Sequence, residues 1–248
     1  MPPSLNKWRF PALFPSLTND RQCSWRRKIL TMKRFFYLLL AAVVTACGGP
    51  EGTKVDSTEA VEEADGMVAS AQYVVDPAAS VINWEGAKIA YSHTGTMPIS
   101  EGKMMVADDK IVGGMFTINV AGMENTDIED PEKSAKLVGH LKSADFFDTE
   151  QYPVATFNIT SVSPAPEGSD FTHNVSGNLT IKNTSRNIKI PATVEMDGDM
   201  VKATTPPFVI DRYQWGVEYG SGNLADIAKD DIINDEVGLT LTLVAKKQ

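Results

Sequence analysis

Residues 130–157 read DPEKSAKLVGHLKSADFFDTEQYPVATF, and this stretch decides the fold. Asp130 is suited to cap a helix, because its carboxylate accepts from the free N–H groups of a first turn. Pro131 suits the first helical position, where its missing N–H is not needed. Leu137, Val138 and Leu141 are spaced to share one helical face. Phe146 and Phe147 follow at the helix exit, and Asp148 to Gln151 form a polar break. Tyr152-Pro153 forces the chain extended. Ala155, Phe157 and Ile159 then alternate with Thr156, Asn158 and Thr160, as in a strand buried on one face. No other stretch reads as convincingly helical. A single helix in a chain of strands covers the mouth of a barrel or closes one end of a sandwich.

Working outward, Val81 to Ile89 places Ile82, Trp84 and Gly86 opposite Val81, Asn83 and Glu85. Ile111 to Val120 places Phe116, Ile118 and Val120 opposite Met115, Thr117 and Asn119, with Gly113-Gly114 marking a bulge or tight bend. Phe171–Ile181 alternates Val175, Gly177, Leu179 and Ile181 with polar residues. Asn183-Thr184 turns the chain into Ile188, Ile190, Ala192 and Val194. Met200–Ile210 is interrupted by Pro206-Pro207, and Leu239, Leu241 and Leu243 alternate in the last strand. Short alternating strands separated by frequent turns predict an antiparallel sandwich or barrel. Two chemically different faces on every strand suit a barrel with its own interior.

The N-terminal part reads as an export signal. Lys33-Arg34 precede an apolar run of about a dozen residues ending in small residues before Cys47. That run is shorter than the roughly 20 apolar residues of a membrane span. Val44-Thr45-Ala46-Cys47 resembles a bacterial lipobox, in which the Cys carries lipid. We therefore divide the chain into an upstream extension (1–31), a lipoprotein signal (32–46), a lipidated Cys47 with a disordered acidic tether (47–71), and a folded domain (72–248). Met32 reads as the true start. Gly48, not Asp, follows Cys47, which favours the outer membrane, facing the periplasm or exposed at the surface.

Residues 1–46 hold 8 of the chain's 23 Lys+Arg and 1 of its 32 Asp+Glu, leaving 15 against 31 from Cys47 onward, a formal net charge of −16. Such a chain repels the phosphate backbone, so nucleic acid is not an expected partner. Cys23 and Cys47 are its only cysteines, so the mature domain is expected to lack disulfides.

Several blocks carry a resemblance. They are Asp76 with Ser80 and Trp84, His93, Gly113-Gly114-Met115-Phe116, the run Gly139–Asp148, Tyr152–Phe157, Val175–Ile181, Phe208–Arg212 and Val237-Gly238-Leu239. Together they resemble the YceI-like, polyisoprenoid-binding family of exported, lipocalin-like barrels, from about Tyr73 to Lys246. The resemblance implies an all-β fold with one short helix: an eight-stranded antiparallel barrel holding an isoprenoid or other amphiphilic lipid in an apolar tube. Two features depart from the pattern: the lipobox, and the long acidic segment Asn223–Glu236.

The chemistry agrees with a carrier. No GxSxG, P-loop or dinucleotide motif is present, so no catalytic residue and no cofactor is expected. His93, His140 and His173 lack metal-ligand spacing, and no metal is expected. The residues expected to line the tube or its mouth are Trp84, His93, Phe116, His140, Phe146, Phe157, Arg212 and Trp215. The aromatics among them can equally be core. Asp211 and Arg212 are expected to pair inside the barrel, and Lys142 to pair with Asp145 across the helix surface. Burial of a tail at ~0.8 kcal/mol per CH₂ supplies affinity without special polar groups. The acidic balance favours a neutral head group over a diphosphate. Two alternatives stay open: an enzyme using His93, His140 or Arg212 on a bound lipid, and a barrel filled by its own side chains. Barrels of this kind often form homodimers, and no apolar stripe in the sequence decides the matter.

Overall fold

The computed structural model describes residues 49–62, 71–224 and 231–248. The extension, the signal segment and Cys47 lie outside the described residues. The strands are β1 (Thr53–Lys54), β2 (Ser57–Glu59), β3 (Ala71–Val75), β4 (Val81–Lys88), β5 (Ser92–Ala107), β6 (Lys110–Asn119) and β7 (Glu124–Asn125), followed after the helix by β8 (Val154–Pro164), β9 (His173–Ile181), β10 (Thr184–Asp197), β11 (Met200–Thr204), β12 (Phe208–Asp211) and β13 (Ile233–Lys247). The helix α1 spans Pro131–Lys142.

The sheet closes on itself as a ring of eight staves, as the alternation predicts. The first stave is β3 and β4 in line, and both pair with β13 and β5. The ring continues β5–β6–β8–β9–β10–β11–β13, every pair antiparallel. β12 continues β11 beyond Pro206-Pro207, still paired with β13. The rows expected to face inward are the core: Phe116 and Ile118, Ala155 and Ile159, Val175 and Leu179, Ile188 and Ile190, and Leu243 are buried together. Their neighbours Thr117, Ser176 and Thr180 lie on the alternate face. This polarity, apolar within and polar without, is opposite to that of a membrane-spanning barrel.

The helix forms as its caps dictate. Asp130 Oδ1 accepts from the amides of Glu132 at 3.0 Å and Lys133 at 3.2 Å. No α1 residue is fully buried; Leu141 packs partly on the core, and Phe146 just beyond it is buried. α1 is therefore a shallow cover whose apolar weight lies in its exit turn.

The tether expected over 47–71 is corrected for its described part. Residues 49–62 run along the barrel wall instead of hanging free. β1 pairs in parallel with β12, and β2 pairs antiparallel with β10. Val55 is 7% exposed and joins the core, and Pro50 is buried. The acidic, small-residue composition misleads because this segment is held mainly through its backbone, by strand edges that need partners.

Candidate functional site

Three neighbouring chambers lie inside the ring. The main chamber, a cavity of about 110 Å³, is lined by apolar residues alone, among them Phe116, Phe157, Ile188, Ile190, Phe208 and Leu243. A middle chamber of about 70 Å³ shares Ile82, Ile118, Leu179 and Leu239 with it. A lid chamber of about 90 Å³ lies beneath Leu141, Phe146 and Phe147, and shares Met97, Phe147, Arg212, Val217 and Val237 with the middle one. The three share walls and together form an apolar tube whose polar groups lie near the lid.

Glycines make room for the aromatic walls. A Cβ on Gly177 would stand 2.3 Å from Phe157 Cζ, so the Phe157 ring lies flat over that backbone. Gly95 stands opposite Trp84 across β4 and β5, and a Cβ there would fall 2.4 Å from the indole.

Arg212 is 6% exposed and lines both the lid and middle chambers. Its partner is Asp235, at 3.0 Å, and not the adjacent Asp211. Asp211 instead caps the 3-10 turn Arg212–Trp215 by accepting from the Tyr213 amide. The guanidinium also donates to the carbonyls of Val217 at 2.6 Å, Asn234 at 3.1 Å and Ile233 at 3.3 Å. Burial draws its pKa below the ordinary value, while Asp235 and Asp211 push it back up. An arginine so placed stays charged and ties the start of β13 to the 3-10 turn.

Trp84 and Asn234 also bring polar groups to the lid chamber. Trp84 is 7% exposed, and its indole Nε1 has no hydrogen-bond partner among the described residues. Trp215 differs: its Nε1 donates to the Leu179 carbonyl at 2.9 Å, which fixes it as a wall of the middle chamber.

Of the residues singled out from sequence, Trp84, Phe116, Phe146, Phe157, Arg212 and Trp215 line the tube. The two histidines do not. His93 Nδ1 pairs with Asp127 Oδ2 at 2.8 Å, and its ring meets Tyr91 edge-on. His140 Nε2 pairs with Asp145 Oδ2 at 3.1 Å, so Asp145 takes His140 where Lys142 was expected. The His140 ring stacks edge-on against Phe146 and Tyr219, outside the chamber walls. Asp127 is pushed up by burial, but His93, the Thr94 amide and Asn125 hold it net below its ordinary value. Among the described residues no three His, Cys, Asp or Glu converge. Sequence reasoning missed Met97, Asn234 and Asp235; none is near Arg212 or Trp84 in the chain, and no motif announces them.

The family model for the YceI-like domain matches residues 73–245. The chain belongs to the YceI-like family. No curated protein sequence matches it. Among solved structures, BcnA of Burkholderia cenocepacia is similar at a TM-score of 0.54 and 27% identity, over 69% of this chain and 99% of that one. A polyisoprenoid binding domain from Saccharophagus degradans, implicated in plant cell wall breakdown, is similar at 0.50 and 17% identity, over 71% of this chain and 98% of that one. The second likeness is one of fold. The segment 49–62 lies outside the family match.

Proposed function

We propose that this chain binds and carries an isoprenoid or similar amphiphilic lipid, held in the cell envelope through a lipidated Cys47. The observation that supports it is the main chamber: a cavity of about 110 Å³ walled by apolar side chains alone, with the middle and lid chambers next to it. Each five-carbon isoprene unit buried there contributes up to ~4 kcal/mol at ~0.8 kcal/mol per CH₂. A few units offset the ordering cost of binding without any charged contact. Such a chamber also argues against a barrel filled by its own side chains.

The head group belongs in the lid chamber. Tryptophan can only donate, so the partner Trp84 lacks is an acceptor oxygen. Arg212 is already paired with Asp235, which leaves no net charge to hold a diphosphate. The ligand therefore carries a neutral carbonyl or hydroxyl at its head. Native mass spectrometry of the chain from Gly48 onward, purified from bacteria without added lipid, tests this. A bound mass that organic extraction releases as an isoprenoid is the expected result. A clean unliganded mass, unchanged after incubation with isoprenoid alcohols, refutes it.

A further inference from the structure

The wall of the barrel is not closed by its own staves everywhere. β10 meets β11 from Thr193 to Asp197 and no further. Pro206-Pro207 then end that ladder, since proline offers no N–H and breaks pairing. Beyond them β12 pairs with β13 on one side, and the first half of β10 pairs with β9 on one side. No hydrogen bond joins β10 to β12. A wedge-shaped seam opens between them, and Ile188, Ile190 and Phe208 at its edges are walls of the main chamber.

Residues 53–59 occupy this seam, with β1 on the β12 edge and β2 on the β10 edge. The Thr53 and Val55 amides donate to the carbonyls of Pro207 at 3.1 Å and Val209 at 2.8 Å. Val55 reaches the core between the two edges. β2 continues along β10 from Ser57 to Glu59, and Glu59 pairs with Arg186. Asn178 then clasps Val61 by both its main-chain N–H and its carbonyl.

We propose that the seam between β10 and β12 is a lateral port through which lipid passes between a bilayer and the main chamber, and that residues 49–62 are its gate. The inference rests on the reading that the barrel holds a lipid. The two ends of the tube are closed by residues of the barrel itself. The lid end has Phe146, Phe147 and the Arg212 clamp, and the far end has Tyr73 Oη bonded to Gly198 O at 2.9 Å and the Gln248 amide to Gln72 O at 2.9 Å. The gate is short, is held mainly through its backbone, and lies outside the family match. Gly49 follows Cys47 by two residues, a reach of roughly 7 Å.

A lock on the gate tests it. Thr58 and Asn187 face each other in the β2–β10 pair, where facing Cα atoms fall within reach of a disulfide. The full chain carrying T58C and N187C, with T58C alone and N187C alone as controls, is mixed with phosphatidylcholine vesicles containing a dansyl-labelled isoprenoid alcohol. Oxidation is expected to slow uptake at least about tenfold, with the same amount bound at equilibrium and the rate restored by dithiothreitol. Equal rates in oxidised and reduced protein overturn the port while leaving the lipid reading intact. No uptake by either form, nor by the wild type, overturns both. Hydrogen exchange on the wild type needs no ligand: the Thr53 and Val55 amides are expected to exchange about a hundredfold faster than the β9–β10 ladder. Exchange as slow as that ladder means that the seam stays shut, and it overturns the gate.

Discussion

Replacing Arg212 by Met separates two roles that the sequence left open, a clamp within the protein and an anchor for a ligand. The methionine fills most of the arginine's volume but donates nothing. Asp235 loses its cation, and the carbonyls of Val217, Asn234 and Ile233 lose their donors. Breaking a buried ion pair from one side costs roughly 3–5 kcal/mol. Asp235 is 19% exposed and keeps hydrogen bonds from Ser221 Oγ at 2.7 Å and Asn223 Nδ2 at 2.9 Å, so the lower end of that range applies. About 3 kcal/mol is a large share of the 5–15 kcal/mol that typically separates folded from unfolded states. At a slope of ~2 kcal/mol/M, the urea midpoint is expected to fall by about 1.5 M with the slope unchanged. Adding D235N removes the orphaned charge, and the double variant is expected to recover about 1 kcal/mol or more, the coupling of a contacting pair. R212M within about 0.5 kcal/mol of wild type, but unable to retain lipid, would refute the clamp and make Arg212 a ligand anchor.

Four other outcomes follow from the same geometry. G177V drives a methyl-bearing carbon into the Phe157 ring, so overpacking is expected to cost roughly 1–3 kcal/mol; calorimetry checks it, and F157L in the same chain is expected to restore most of the loss. W84F removes the unpartnered N–H together with part of a buried ring, so stability is expected to fall by about 1 kcal/mol while affinity for a carbonyl-bearing isoprenoid falls about two- to tenfold, one hydrogen bond's worth, read by fluorescence displacement. Asp127 has a folded pKa below its ordinary value, so its stabilisation is present above about pH 4 and lost as pH falls through the folded value; melting temperatures from pH 6 to pH 2.5 are expected to show wild type losing its advantage over D127N only below about pH 4. H140A removes an exposed ring that lies outside the tube, so extracted lipid is expected to match wild type; its loss would favour a role for His140 in handling the ligand.

What the sequence disclosed depended on how far a strand keeps its register. β9, the first half of β10 and β6 beyond its glycines alternate cleanly, and their inward rows could be read directly; at the start of β6 the extra Val112 forms the irregularity that Gly113-Gly114 announced. β5, the longest strand at 16 residues, could not. An extra residue, Ser100, opposes the Ile118–Thr117 step of β6 and flips the parity, so Met97 and Ile99 face inward before it and Met104 and Val106 after it. With Gly95, Pro98 and Gly102 also present, no period of two survives the whole strand. A bulge at Thr160 does the same to β8 on a smaller scale. The site was legible to the same degree. Aromatics on inward rows announced the tube, but the Arg212–Asp235 pair joins residues far apart in sequence, and adjacency pointed wrongly to Asp211.

The gate was illegible for a reason that also bears on how it works. A strand that binds through its main chain needs few apolar residues, so its composition matches that of a linker. Val55 alone commits a large side chain to the core, and the rest is backbone pairing, Asn178 and the ion pairs of Lys54 with Glu236 and Glu59 with Arg186. Exposed ion pairs contribute about 0–1 kcal/mol each. As a free peptide such a segment would bind the seam weakly. Only eight residues separate Glu62 from Ala71 at the start of β3, so closure is intramolecular, at an effective concentration in the ~mM range. Weak contacts with a high local concentration let the segment leave often and return fast. Under the proposed function, a barrel that keeps an apolar chamber closed yet exchanges its contents with a membrane needs both properties, and the proposed seam and strap would supply them without loosening the staves that hold the fold.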